Sequence, residues 1–164
     1  MSKTMLREAI ETLMKEIYEG PADPKGPTWV VSNGADSGLF GALRPLSPAQ
    51  ASAKPKGASH SVAEHVAHLK FSLDVNLRYA QGEEPGKLDW ESSWHVPNPL
   101  TSDVWQRLLR SLHDSWQALL SWAQSKEEFD NFFSVCGFTA SVAHSAYHLG
   151  AIRQLAAIAR ASPA

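Results

Sequence analysis

The chain has 164 residues, of which 43% are hydrophobic and 20% charged, a length and balance that predict one domain over 1–164 at the usual ~150 residues per domain. Lys and Arg number 15 against 17 Asp and Glu, a formal charge of -2, so there is no positive field for binding nucleic acid by charge. The lone Cys136 excludes intrachain disulfides and metal sites built on paired thiolates and fits the cytoplasm, and no stretch is long and apolar enough for a signal peptide core or a membrane span.

Leu6, Ala9, Ile10, Leu13 and Ile17 recur at helical spacing until Gly20-Pro21, which predicts a first helix over about 3–19. Residues 20–59 carry six prolines and cannot sustain a long helix. Within them, a brief helix capped by Asp36 is expected over 36–43, and Ser47-Pro48 reads as a cap followed by proline at the first helical position. Ser61-Val62-Ala63-Glu64 matches a capping box, so a second long helix starts at Ser61, carries the stripe Val62, Val66, Leu69, Leu73 and Leu77, and stops by Gln81-Gly82. A loop with Trp90, Trp94, Pro97 and Pro99 follows. Trp105, Leu108, Leu109, Leu112, Trp116, Leu119 and Leu120 then mark the clearest amphipathic helix, over about 102–124. After an acidic turn at Glu127, Glu128 and Asp130, and then Gly137, a last helix is predicted from about 139 to 161, closed by Pro163. It is apolar or small on nearly every side, as in a helix buried within a bundle. Four long helices and no strand pattern predict an all-α four-helix bundle with a long crossover after helix one.

Seven histidines are the distinguishing feature of the composition, because neutral imidazole binds metals and moves protons near pH 7. His144 and His148 are four apart on the last helix and therefore project from one face. Buried without partners, each would cost a few kcal/mol, so burial implies a ligand, a hydrogen bond or a wet cleft. His60 and His65 flank the Ser61 cap at positions that often pack together at a helix start. His68, one turn deeper, is the leading third nitrogen, with His65 as its competitor. His95 and His113 read as surface or packing residues. Three neutral imidazoles would leave a divalent ion open positions, the arrangement of catalytic sites. Glu64 has a general-base reading beside His68, but the capping box already accounts for it. Cys136, placed just before the last helix, reads as an inert buried thiol despite the helix terminus nearby. The tryptophans read as packing, with Trp90 and Trp94 able to line a cleft.

Three stretches resemble the DinB-like family of bacterial four-helix metal proteins: Gly20-Pro21 through Trp29; Leu43-Arg44-Pro45-Leu46-Ser47-Pro48-Ala49-Gln50-Ala51 leading to His60-Ser61-Val62-Ala63-Glu64-His65-Val66-Ala67-His68-Leu69; and His144-Ser145-Ala146-Tyr147-His148-Leu149-Gly150. The resemblance implies that one histidine of the second helix and an H-x-x-x-H-x-G pair bind a divalent metal, which here fall on His68, His144 and His148. Zinc or nickel leads, with manganese or iron as alternatives. Ala151 departs from the Gln that many members carry directly after the glycine, and Gln154 comes later. Some relatives are transferases or isomerases that use low-molecular-weight thiols, and members are often homodimers. The expectation is therefore a cytoplasmic metal-dependent enzyme that activates a small thiol or water, of transferase or hydrolase type, acting on a small molecule. The alternative is a noncatalytic stress-related bundle that binds a small molecule or protein and holds a structural or vestigial metal.

Overall fold

Apolar periodicity becomes a helix where caps let it start and stop, because the terminal amides and carbonyls otherwise lack partners. The computed structural model of the protein describes residues 3–34, 36–126, 129 and 131–161, with backbone only at 3, 4 and 133, and every regular element described is helical. In chain order these are α1 (Lys3–Glu19), the short α2 (Leu39–Leu43) and α3 (Pro48–Ser52), α4 (Val62–Ala80), α5 (Ser102–Gln124) and α6 (Phe132–Ala161), with a single 3-10 turn at Ser92–Trp94. α4 packs on both α5 and α6, and α1 packs on both α6 and α5. The four long helices thus close a ring, the bundle that the periodicity predicts. Ile10, Met14 and Ile17 of α1, Val66, Leu69 and Leu73 of α4, Leu112, Trp116 and Leu119 of α5, and Leu149 and Ile152 of α6 are buried in one core. Truncating any of these aliphatic side chains to alanine would cost about 2–5 kcal/mol.

The expected caps are in place. Ser61 accepts from the Glu64 amide while the Glu64 carboxylate accepts from the Ser61 amide, and Ser47 and Gln50 form the same box with Pro48 at the first helical position. A further cap, not among those expected, is Thr101, which accepts from the Val104 amide at the start of α5. α1 ends where Gly20 adopts a φ of 94°, a left-handed conformation that glycine takes without a Cβ penalty.

The crossover is tied down at both ends. The buried carboxylate of Glu16 on α1 accepts from the amides of Trp29, Val30 and Val31 at 2.9, 2.6 and 2.8 Å. Burial alone would raise its pKa, but the three amides outweigh burial and hold it below the usual carboxylate value. Further along, the indole of Trp105 donates to the Leu46 carbonyl at 3.1 Å.

Four expectations change. α2 begins two residues later than its cap would require: Gly38 precedes it without a side-chain hydrogen bond, and Asp36 pairs instead with Arg44 at 3.0 Å. α6 begins at Phe132, not near residue 139, and runs through Gly137. A helical glycine costs about 1 kcal/mol relative to alanine, which is offset by buried Phe138 stacking on Phe129 and Trp122 at ring distances of 4.5 and 5.5 Å. Cys136 consequently sits within α6, and it is exposed rather than buried. α6 is also not enclosed, because Ala143, Tyr147, Gly150 and Ala157 are exposed. In a ring of four helices each has two long neighbours, so one side of even an apolar helix faces water, and small residues there expose little area. The acidic turn at Glu127, Glu128 and Asp130 and the Pro163 stop lie outside the described residues.

Candidate metal centre

The capping box fixes where α4 starts, and with it the direction in which every later side chain points. His65, His68 and Ser72 follow at i, i+3 and i+7 and share a face. On α6, His144 and His148 share a face at i and i+4. Because α4 packs on α6, the two faces meet, and one ring nitrogen from each of His68, His144 and His148 lies within 4.8 Å of the others. These three imidazoles are placed to hold one divalent ion. His68 and His148 are buried and His144 is half-buried.

The hydrogen bonds around the trio decide which nitrogen each ring offers. Ser93 donates its hydroxyl to the Trp90 carbonyl at 2.6 Å, so toward His68 Nδ1, 2.7 Å away, its oxygen acts as acceptor. His68 therefore carries its proton on Nδ1 and presents a lone pair on Nε2. His144 Nδ1 lies 3.1 Å from the Ser72 hydroxyl, which can donate or accept. His148 Nδ1 lies 2.8 Å from Nδ1 of His65. The two remaining nitrogens, His144 Nε2 and His148 Nε2, face each other at 2.9 Å. Each ring of the trio thus has its Nδ1 engaged by a separate partner and its Nε2 free of those partners, the pattern by which outer groups fix the tautomer and orientation of metal-binding histidines.

Burial, with the nearby His60 adding, pushes His65 down to about 4. Burial, then His144, His65 and His60, pushes His68 down to about 4. Burial chiefly pushes His148 down to about 3, with the neighbouring histidines adding, and burial also lowers His144. All four rings are neutral at pH 7, the form that coordinates metals.

The histidines open into a cleft of about 590 Å³ between the α4 start, the 3-10 turn and α6. Trp94 forms one wall, its ring stacked between those of His60 and His68 at 3.8 and 3.9 Å. Trp90 lies 5.8 Å from the His68 ring and is more exposed, so of the two tryptophans the sequence offered only Trp94 lines the cleft. Tyr147, Ala151 and Gln154 complete the α6 side, so an amide does line the cleft although residue 151 is alanine.

His65 is the residue whose role the sequence obscured. Its helix-start position sets it 6.0 Å from the His60 ring, as expected, but that does not exhaust its role, since it also engages His148. A signal was present: His65, His68 and Ser72 form a polar stripe on an otherwise apolar helix face. Ser93 had no such signal, because a loop residue reaches the site only through tertiary contact. Glu64 spends its carboxylate on the Ser61 amide and Lys54 and does not line the cleft. His95 and His113 are surface residues, with the His113 ring 5.3 Å from Phe40.

An all-helical bundle with three histidines converging from two facing helices defines a class of helical proteins able to hold a metal ion between their helices. Within it, a sequence model of the DinB superfamily matches residues 36–152, from the crossover through α4 and α5 and most of α6, and the chain belongs to that superfamily. No curated protein and no solved structure matches the chain. Among the described residues, no helix is long and apolar enough to cross a membrane.

Proposed function

We propose that the protein is a divalent-metal enzyme of the cytoplasm, with His68, His144 and His148 as ligands through Nε2, that activates a low-molecular-weight thiol or water against a small electrophilic substrate. The observation that carries this reading is the division of labour on the rings: Nδ1 is held by Ser93, Ser72 or His65, Nε2 of His144 and Nε2 of His148 face each other at 2.9 Å, and one nitrogen of each ring of the trio lies within 4.8 Å of the other two. A histidine that only packs in a core needs partners for its polar atoms, but three such rings have no need to converge on one another. When bound, the ion would lower the pKa of a thiol or water at an open coordination position and hold it for attack. Three uncharged ligands leave the metal's positive charge uncompensated and so favour an anionic fourth ligand. The chain's own residues do the rest: Trp94 closes one side of the cleft against water, and His65, Ser72 and Ser93 keep the imidazoles oriented. Cys136, the single cysteine of the chain, does not line the histidine cleft, so a thiol reaction here would use a thiol from outside the chain. Zinc or nickel suits an all-imidazole site.

The test is elemental analysis of tag-free protein, followed by turnover of alkyl halide, epoxide and maleylpyruvate-like acceptors with a panel of small thiols, each with and without chelator. One equivalent of divalent metal and chelator-sensitive turnover are expected. A chain that binds no zinc, nickel or manganese would overturn the reading, and stoichiometric metal without turnover would leave a noncatalytic metal bundle.

A further inference from the structure

A second cavity, of about 630 Å³, lies between the α2 region and the C-terminal half of α6. Gly41, Ala42, Ala156 and Ala157 line it, and side chains this small leave the space open. Gly41 is required there: a Cβ would come within 2.5 Å of the Asp36 backbone, so only glycine lets that segment close against α2. Around the small residues stand Arg44, Arg153 and Arg160, with Asp36 as the only carboxylate lining the cavity among the described residues. Asp36 is already paired with Arg44 at 3.0 Å. Arg153 and Arg160 lie seven residues apart, two turns along one face of α6, and neither forms an ion pair among the described residues. Among the described residues, three guanidinium groups against one carboxylate give the cavity a surplus of two positive charges in a chain whose formal charge is -2. Gln154 lines both this cavity and the histidine cleft, so the two adjoin across a single side chain.

We infer that this groove is an anion-binding subsite in which Arg153 and Arg160 take a carboxylate or phosphate group of a molecule whose other end lies at the histidines. The fork of an arginine matches either oxyanion with two parallel hydrogen bonds. On a helix rising about 1.5 Å per residue, Arg153 and Arg160 stand roughly 8 and 18 Å beyond His148 along the axis. The substrate class is thus an elongated small molecule with its anionic group one to three helical turns from its reactive end. The inference rests on the proposed function for what happens at that reactive end, and it rests on the groove alone for the anion.

The test separates the two. Chelator-stripped, metal-free protein is titrated by calorimetry with inorganic pyrophosphate and, separately, with succinate, at low and at physiological salt. Saturable binding of at least one anion is expected, weakened at least tenfold in R153Q/R160Q and weakened by added salt, with melting temperature confirming that the variant is folded. The tighter of the two probes identifies phosphate or carboxylate as the preferred group. Binding of neither anion, or equal binding by R153Q/R160Q, would overturn the subsite whatever the metal analysis shows. A chain that binds anions but no metal would retain the subsite and lose the proposed reaction.

Discussion

His65 Nδ1 lies 2.8 Å from Nδ1 of His148, so the fourth histidine of the cluster holds a ligand of the proposed metal rather than joining the trio. Both rings are neutral at pH 7, and one supplies the proton that the other accepts. Outer partners of this kind typically contribute 10–100-fold to metal affinity. His65→Ala is expected to weaken zinc binding by about that factor while keeping one equivalent at saturation, whereas His68→Ala, His144→Ala or His148→Ala abolishes stoichiometric binding. Competition with a chromophoric chelator measures both quantities. Loss of stoichiometry in His65→Ala with retention in His68→Ala would exchange their roles.

Ser93 fixes the tautomer of His68 because its own hydrogen is committed to the Trp90 carbonyl. Ser93→Ala removes the acceptor for Nδ1–H, and a loss of about tenfold in zinc affinity is expected. Ser93→Thr, which keeps the hydroxyl, should restore most of it. Equal losses in both variants would point to cleft shape rather than the hydrogen bond.

Trp94 is stacked at 3.9 Å on the ring of His68, close enough for its emission to report on that imidazole. Zinc added to metal-free protein should change tryptophan fluorescence with a one-to-one end point, and Trp94→Phe should remove most of the change while preserving stoichiometry. An undiminished signal in Trp94→Phe would show that another indole reports binding.

Glu16 provides a pH test away from the histidines. Its folded pKa lies below the usual carboxylate value because the amides of Trp29, Val30 and Val31 outweigh burial. A depressed carboxylate contributes stability that is fully present above its unfolded pKa of 4.5 and is lost as pH falls through the lower folded value. Glu16→Gln should lower stability at pH 7 by about 1–3 kcal/mol, and melting curves of the two proteins should converge as pH drops below 4.5. A gap that persists unchanged in acid would mean that the carboxylate's charge contributes nothing.

The bounds of α1, α4 and α5 were legible because local chemistry sets them: apolar period, the capping box at Ser61, and glycine at the end of α1. The start of α6 was not, since the helix crosses Gly137 only with Phe138 stacked on Phe129 and Trp122, residues whose proximity no local pattern encodes. The same division runs through the site. Helical spacing alone puts His144 and His148 on one face, and it puts His65, His68 and Ser72 on another, because 3.6 residues per turn is a property of the backbone. Which of His65 and His68 reaches inward depends on how α4 is rotated against α6, and rotation is set by packing of the whole core. Tertiary structure alone also brought Ser93 and Trp94 from a loop to the His68 ring, committed Glu16 to the crossover amides, and gathered Arg44 with Arg153 and Arg160. Sequence therefore determined the helices, the bundle and the pool of imidazoles, through interactions spanning a few residues. Which imidazoles of that pool converge was decided by contacts between residues tens of positions apart, where each side chain's partner depends on every other.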